Sequence, residues 1–541
     1  MTALIECVPN FSEGRDPDLI RQITSAIGSV DGATLLHVDA GQATNRTVVT
    51  LAGTPEAVVE AAFRGIAKAT ELIDMRRHSG EHPRMGATDV CPLVPISGIS
   101  MEETAVFARR LAERVGRDLG VPVYLYEAAQ PNPARKNLAT IRAGEYEGLA
   151  AKQAEPAWRP DFGPDAFNPK SGATVIGARD FLVAFNVNLN TTSTRRANAI
   201  AFDVREAGRP GAPGTLKAVK AIGWYIAEYG LAQVSMNLTD VAATPLHAAF
   251  DEVCRAAEAR GVRVTGSELV GLVPLQTMLD AGRYFLRKQQ RSLGVSDHEL
   301  VRTAIRSMGL NEVGPFNPDE RIIEYRLRGP AGGRLVRMTV QGFVDETAAE
   351  SAAPGGGSVA ALLGALGAAL GTMVANLAAH KRGWDERWEE FSQWAERGQR
   401  IKDDLLRLVD QDTIAFEGVM AALAMPKATT EEASARAAAL AAANLGALQV
   451  PWQVMQAAFA AFDLLAAMAE RGNPASASDA GVGALCARAA VRGAWLNVQT
   501  NASGVKDKVA LEEILVAGAT LERTAAEHEA GILAIVQSKF A

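Results

Sequence analysis

"LRGPAGGRLVRM", residues 327–338, separates two kinds of sequence. Upstream, runs rich in Val and Ile alternate with helical patterns. Downstream, the chain is rich in Ala at helical spacing and the Val/Ile runs disappear. Gly and Pro at this density read as a linker. The change of period across it predicts an α/β part followed by an all-helical part.

Working back from the linker, strand patterns fall at LIECVPNF (4–11), ATLLHVDA (33–40), NRTVVTLAG (45–53), DVCPLVPI (89–96) and VPVYLYEAA (121–129). Helical patterns fall at Pro17–Ile27, Pro55–Ile73 and Met101–Leu119. Residues 151–175, rich in Pro, Asp, Phe and Gly, lose periodicity and read as a long loop between domains. A second unit repeats the order: strands at FLVAFNVNLN (181–190), AQVSMNL (232–238) and within Val262–Val273, helices at Thr194–Glu206 and Thr244–Arg260. The expected fold is therefore two related α+β sheet lobes in ferredoxin-like layers, residues 1–178 and 179–326, then the linker 327–338 and an all-α bundle over 339–541.

At 541 residues the chain is too long for one core. A net charge of −7 with no long Lys/Arg run argues against nucleic acid as a partner. The start, MTALIECVPNFSEGRD, lacks the pattern of a signal peptide, and the four Cys, at 7, 91, 254 and 486, form no CxxC pair. A reducing, cytoplasmic setting without disulfides or structural zinc is the expectation. Ser358–Ala379 is uncharged and long enough to span a bilayer, but it is mostly Ala and Gly. We read it as a tightly packed bundle helix, and no membrane span is expected.

The densest chemistry lies in RRHSGEHPRMGATDVCPLVPI, residues 76–96, with His78 and His82 four apart among Glu81, Arg84, Asp89 and Cys91. Gly80 and Pro83 argue against a helix presenting both imidazoles to a metal, and no third ligand is evident. Cys91 sits in an apolar strand, where a free thiol usually behaves as a small hydrophobe. An acid/base His82 suits a single loop histidine that takes and gives a proton near neutral pH. From the residues alone, a histidine that only fills the loop stands beside that reading.

Several long motifs, in order, carry a resemblance. IECVPNFSEGRD, HVDAG, NRTVVTLAG, SGEHPRMGATDVCPLVPI, PDFGP with KSGATVIGAR, and FLVAFNVNL resemble the glutamate formimidoyltransferase family over residues 1–326. GFVDETAAESAAPGGGSVAALLGALGAALGTMVANL, LVDQDTIAFEGVM and NPASASDAGVGALCARAAVRGAWLNVQTN resemble the formimidoyltetrahydrofolate cyclodeaminase and methenyltetrahydrofolate cyclohydrolase group. Together they are similar to the bifunctional formimidoyltransferase-cyclodeaminase family.

The resemblance implies two reactions, as in histidine degradation. A formimino group passes from N-formiminoglutamate to N5 of tetrahydrofolate, with His82 as the acid/base. The product then closes to 5,10-methenyltetrahydrofolate with loss of ammonia, with Asp412 protonating the leaving nitrogen. Asp39 is the expected partner of the imidazole, with a structural strand-end role as the alternative. Arg84 is expected to meet a substrate carboxylate, with a surface ion pair as the alternative. Gly163, Pro164, Asp165, Ala166, Phe167, Asn168, Pro169, Lys170, Ser171 and Gly172 match the family's folate loop, with Lys170 toward the glutamate tail. Gly355, Gly356, Gly357 and Ser358 form either an anion-binding helix start or a tight turn with Ser358 as N-cap. Asp410 and Asp412 lie two apart, so on a helix only one faces a site. Asp479, Asn497 and Asn501 are candidates for the pterin. Tetrahydrofolate is a co-substrate, polyglutamylated in this reading; no metal is expected, and a ring-like homo-oligomer is. The alternatives are a helical part that is a methenyltetrahydrofolate cyclohydrolase or a non-catalytic assembly scaffold.

Overall fold

The computed structural model describes residues 3–42, 45–80, 83–327, 333–351, 353–505 and 508–540. It divides into two compact units: residues 1–281 with 305–328, and residues 282–304 with 329–541.

In the first unit the chain builds β1 (Leu4–Cys7), β2 (Asn10–Phe11), α1 (Pro17–Gly28), β3 (Ala33–Gly41), β4 (Arg46–Gly53), α2 (Pro55–Leu72), β5 (Thr88–Ser97), α3 (Met101–Leu119) and β6 (Val123–Glu127). Two short helices, α4 (Leu138–Arg142) and α5 (Glu145–Ala154), precede β7 (Thr174–Ala178). Then come β8 (Val183–Leu189), α6 (Thr194–Val204), β9 (Val219–Ile226), β10 (Leu231–Leu238), α7 (Leu246–Glu258) and β11 (Val264–Val270). This second set forms an antiparallel sheet in the order β11-β8-β10-β9, the split βαβ arrangement of a ferredoxin-like layer. The first sheet repeats it. With β1 and β2 taken as one broken strand, β5-β1/β2-β4-β3 has the same order, extended by β7 and β6 running parallel to β5.

Local signals account for the helix ends. Ser100 and Glu103 close a capping box on α3, and Gly120 at φ +61° ends it. Asp16 caps α1 through the amides of Asp18 and Leu19, with Pro17 in the first turn. Ile5, Cys7, Val49, Leu51, Cys91 and Leu93 point from the sheet toward α1, α2 and α3, and all are fully buried.

The structure departs from the sequence reading in three places. The expected strand 4–11 breaks between β1 and β2 at Val8 and Pro9, where proline has no N–H for the ladder. TVIGA, placed by sequence in the inter-domain loop, is β7, a parallel strand buried at every residue. A strand covered on both faces shows no alternation. VKAIGWYI, unassigned from sequence, is the outer strand β9, whose buried and exposed residues alternate.

The chain continues through α8 (Leu275–Lys288), α9 (Asp297–Met308), α10 (Pro318–Arg321) and α11 (Ile323–Leu327), then α12 (Val340–Thr347), α13 (Gly356–Ala379), α14 (Trp388–Ala424), α15 (Thr430–Arg471), α16 (Ala477–Asn501) and α17 (Lys508–Ser538). Within the second unit α13 packs against α14, α15 and α16. Small residues permit this approach: a Cβ on Gly367 would lie 2.8 Å from the Gly483 carbonyl oxygen, and one on Gly398 2.1 Å from Thr372 Oγ1. The segment between α8 and α9 docks onto the same bundle. Leu293 N–H donates to Ser392 Oγ (2.9 Å), and the Gly294 carbonyl accepts from Asn376 (2.8 Å) and Gln399 (3.1 Å). Both α13 and α15 are long and apolar enough to cross a membrane, but 61% and 56% of their most apolar windows are buried inside the protein.

The opposite face of the first sheet carries Leu36 and Ala52, packed with Ile323 of α11. Glu6 is also buried, one residue out of phase with the helix-facing Ile5 and Cys7 and so on this opposite face. Burial pushes its carboxyl up to about 7; Arg179 pulls it down less, and Glu324 adds to the rise. The native state therefore prefers protonated Glu6. That preference is satisfied below the ordinary carboxyl pKa and becomes destabilising as pH rises through about 7. Glu6→Gln should stabilise the α/β unit at pH 8 by up to about 3 kcal/mol and have no effect at pH 4, as read by denaturant melts at both pH values.

Candidate active sites

Asn45, at φ +46°, is the clamp of the first site. Its Oδ1 accepts from Gly14 N–H (3.0 Å), its Nδ2 donates to the Ser79 carbonyl (3.0 Å), and its own carbonyl accepts from His78 Nε2 (2.9 Å). Arg84 Nε donates to His78 Nδ1 (3.3 Å). With both ring nitrogens engaged this way His78 is neutral, and burial, followed by the nearby Arg84 charge, pulls its pKa down. His78 is thus a strut of the loop. Glu81 and His82 lie outside the described residues. Their flanks are fixed by Asn45 on one side and, on the other, by Met85 N–H on Asp89 Oδ1 (3.0 Å) and Ser12 Oγ on the Gly86 carbonyl (2.7 Å).

Arg84 is buried, and its guanidinium grips Glu147 with two bonds (2.6 and 2.9 Å) and Glu145 with a third (3.2 Å). The guanidinium expected for a substrate carboxylate is therefore already held by carboxylates of α5. Asp39 sits exposed on the outer strand β3, opposite Val48.

The 163–172 loop is stapled to the same region. Gly163 (φ +87°) fits where a Cβ would stand 2.4 Å from the Val121 carbonyl. Pro164, Asp165 and Ala166 are exposed. The Phe167 ring lies 5.6 Å from Tyr146, whose hydroxyl donates to the Pro169 carbonyl (2.6 Å). Asn168 Oδ1 accepts from the N–H groups of Lys170 and Ser171. Ser171 accepts from Ala87 N–H, and Gly172 (φ +65°) lies against Met85, which binds Ala173. Lys170 Nζ rests on the Glu71 carbonyl (2.8 Å) at the end of α2, a favourable place for a cation.

Sequence reasoning missed the charge cluster beneath this loop. Asp89 is fully buried and accepts from Arg46 (2.5 Å) and Arg142 (2.7 Å), while Arg46 Nε also donates to Asn10 Oδ1 (3.1 Å). Two guanidinium groups share one carboxylate, and Arg142 Nε is buried without a partner among the described residues. The signal was an Asp inside an apolar strand, a residue almost never buried unless paired.

The second site begins at the start of α13. Gly355 is the N-cap, and Ser358 is inside the helix. Its N–H donates to Asp412 Oδ2 of α14 (2.8 Å), and its hydroxyl is shared between the same oxygen (3.1 Å) and the Val409 carbonyl (2.9 Å). Of the two sequence alternatives for PGGGS, the turn with Ser358 as N-cap does not hold: Gly355 is the cap, and the Ser358 N–H is taken by the protein's own carboxylate, while Gly355, Gly356 and Gly357 line the cavity. Gly357 makes room, since a Cβ there would stand 2.1 Å from Asp412 Oδ1. Burial raises the Asp412 pKa, and the Ser358 bonds oppose that rise. Asp410 points elsewhere, accepting from Leu335 N–H (2.8 Å). Asp412 opens on a cavity of about 380 Å³ lined also by Gly355, Gly356, Gly357, Phe416, Asn444, Asn497 and Asn501. Asp479 is 18 residues before Asn497 on α16, about 27 Å along the helix, and is not in the lining. Among the described residues, no group of three or more His, Cys, Asp or Glu has a metal-holding arrangement.

A tied loop on ferredoxin-like sheets and a buried carboxylate beside a cavity in a helical bundle give the chain two separate candidate sites. The comparisons name the class. Residues 4–179 match the formiminotransferase domain, N-terminal subdomain; residues 184–328 the formiminotransferase domain; residues 339–517 formiminotransferase-cyclodeaminase. The chain belongs to the formimidoyltransferase-cyclodeaminase family. It is 45% identical to the Gallus gallus formimidoyltransferase-cyclodeaminase over 100% of both chains. A Streptococcus pyogenes glutamate formimidoyltransferase is 42% identical, covering 53% of this chain and 94% of that one. A Methylorubrum extorquens methenyltetrahydrofolate cyclohydrolase is 38% identical, covering 33% of this chain and 85% of its own.

Two outcomes follow from the geometry. Asp89→Asn leaves two buried guanidinium groups short of their anion and should cost about 3–5 kcal/mol, measured by urea unfolding of the α/β unit. Gly357→Ala should push Asp412 off Ser358 and lower ammonia release at least a hundredfold, while glutamate release by the other unit stays within twofold, in a paired product assay.

Proposed function

We propose that the chain transfers the formimino group of N-formiminoglutamate to N5 of tetrahydrofolate and then cyclises the product to 5,10-methenyltetrahydrofolate and ammonia. The observation that carries the reading is Asp412: a carboxyl whose pKa burial raises, oriented by Ser358, at the wall of a cavity of about 380 Å³. It stands in a chain related along its whole length to bifunctional enzymes.

In the first reaction N5 attacks the amidine carbon, N5 loses a proton and the glutamate amine gains one. His82 takes the first proton and returns it to the leaving amine. Arg46 and Arg142, with more positive charge than Asp89 neutralises, favour a dianionic substrate nearby. Asp39 balances the imidazolium, and the 163–172 loop holds the folate, its tail polyglutamylated.

In the second reaction N10 attacks the formimino carbon, the bond from carbon to the terminal nitrogen breaks, and the N10 proton ends on that nitrogen as ammonia. Asp412 relays that proton. The positive charge of the formiminium passes to the methenyl product, so charge balances without water or a metal. The enzyme acts in the cytoplasm as a homo-oligomer, in a ring; exposed Leu366, Met373 and Leu377 on α13, and Val482 and Leu485 on α16, support close association of copies.

The test follows glutamate, ammonia and the methenyl chromophore from formiminoglutamate and tetrahydrofolate. Wild type should yield all three, His82→Ala none, and Asp412→Asn glutamate alone. Glutamate without ammonia from wild type would favour the cyclohydrolase reading, which the Methylorubrum relative brings forward; added methenyltetrahydrofolate would then be hydrolysed.

A further inference from the structure

Arg84 has no N–H bond to spare. Its five N–H bonds have five partners. Nε donates to His78 Nδ1 (3.3 Å), Nη1 to Glu145 (3.2 Å) and Glu147 (2.9 Å), and Nη2 to Glu147 (2.6 Å) and the His78 carbonyl (3.4 Å). The pairing is lopsided. The Arg84 side chain is 9% exposed, while those of Glu145 and Glu147 are 41% and 63% exposed. A carboxylate already in contact with water returns to it at little cost. A buried guanidinium left bare is expensive. Glu147 therefore leaves this contact readily only when another carboxylate takes its place.

The occupant has the chemistry of the donor. Glu147 makes the two-oxygen contact that a guanidinium fork makes with any carboxylate. It does so through the –CH₂–CH₂–COO⁻ group that formiminoglutamate carries as its own side chain. An uncommon turn delivers it: Gly144 (φ +89°) and Glu145 (φ +52°) are both left-handed at the start of α5. Between the two glutamates, the Tyr146 hydroxyl donates to the Pro169 carbonyl and its ring lies 5.6 Å from Phe167. The turn thus lies against both the 76–96 loop and the 163–172 loop, the two loops that serve the transferase reaction in the reading above. Resting on that reading, we infer that Glu147 is an internal competitor for the donor: it holds the Arg84 fork until a carboxylate of formiminoglutamate replaces it. One bidentate carboxylate is exchanged for another, so charge and hydrogen bonds are conserved. The donor binds only those molecules whose fork is open, and Glu147 therefore sets its apparent affinity.

The test is steady-state glutamate release by the full chain, with formiminoglutamate and tetrahydrofolate varied in turn. Glu147→Gln should lower KM for formiminoglutamate at least fivefold and leave KM for tetrahydrofolate within twofold. Tetrahydrofolate is also a dianion, so a general loss of negative charge would lower both; equal falls overturn the inference. A donor KM that is unchanged or raised overturns it too, because Glu147 would then only brace the loop. Glu147→Asp keeps the charge and shortens the reach by one methylene. It should lower donor KM in the same direction, and no shift in this variant overturns the inference even if Glu147→Gln does not fold. A wild-type chain that releases no glutamate overturns the transferase reading itself. Wild-type turnover with unshifted variants overturns the competitor alone.

Discussion

The bond from Ser358 to Asp412 is the constraint on which the helical unit turns. A carboxylate is pulled out of water and held by one backbone N–H and one hydroxyl at the first turn of α13. The position needs a helix start, because only there are backbone N–H groups free of intrahelical partners. It needs Gly357, because a Cβ would occupy the space of Oδ1. It also needs α13 and α14 close together, which the alanines and glycines of α13 permit. The apolar, nearly featureless helix that resembles a membrane span is thus what brings the carboxylate to its cavity.

The α/β unit solves a different problem with similar means. Its site is a loop, and loops hold geometry only when their ends are tied. Asn45 ties one end through its side chain and its carbonyl, with Gly14 and Ser79 on the amide and His78 on the backbone oxygen. Asp89 ties the other through the Met85 amide and is itself held by Arg46 and Arg142. Charge buried in this way is costly unless paired, so the cluster fixes position more than it adds stability.

The architecture was largely legible from pattern. Period-two runs and amphipathic stretches gave most strands and helices of both lobes, because one-sided burial writes a period into the sequence. Where burial is two-sided the period vanishes: TVIGA looked like loop and is β7. Boundaries in sequence are also not boundaries in space. Residues 282–304 precede the linker yet pack with the bundle through Leu293 and Gly294, because hydrogen bonds to Ser392, Asn376 and Gln399 leave no local trace.

What the sequence determined by itself was an α/β part followed by a helical part, and the short list of residues with chemistry: the 76–96 loop, PGGGS, Asp410 and Asp412, Asn497 and Asn501. Tertiary structure decided what each of these does. It gave Asp412 to the cavity and Asp410 to the Leu335 amide, made Ser358 a donor to Asp412, occupied Arg84 with Glu147, and set the side-chain amides of Asn497 and Asn501 on backbone carbonyls. The physical reason is one of range. Periodicity, capping and turn chemistry act between residues a few positions apart and can be read along the chain. The partner of a buried charge or amide is tens of residues away, and only the folded backbone chooses it.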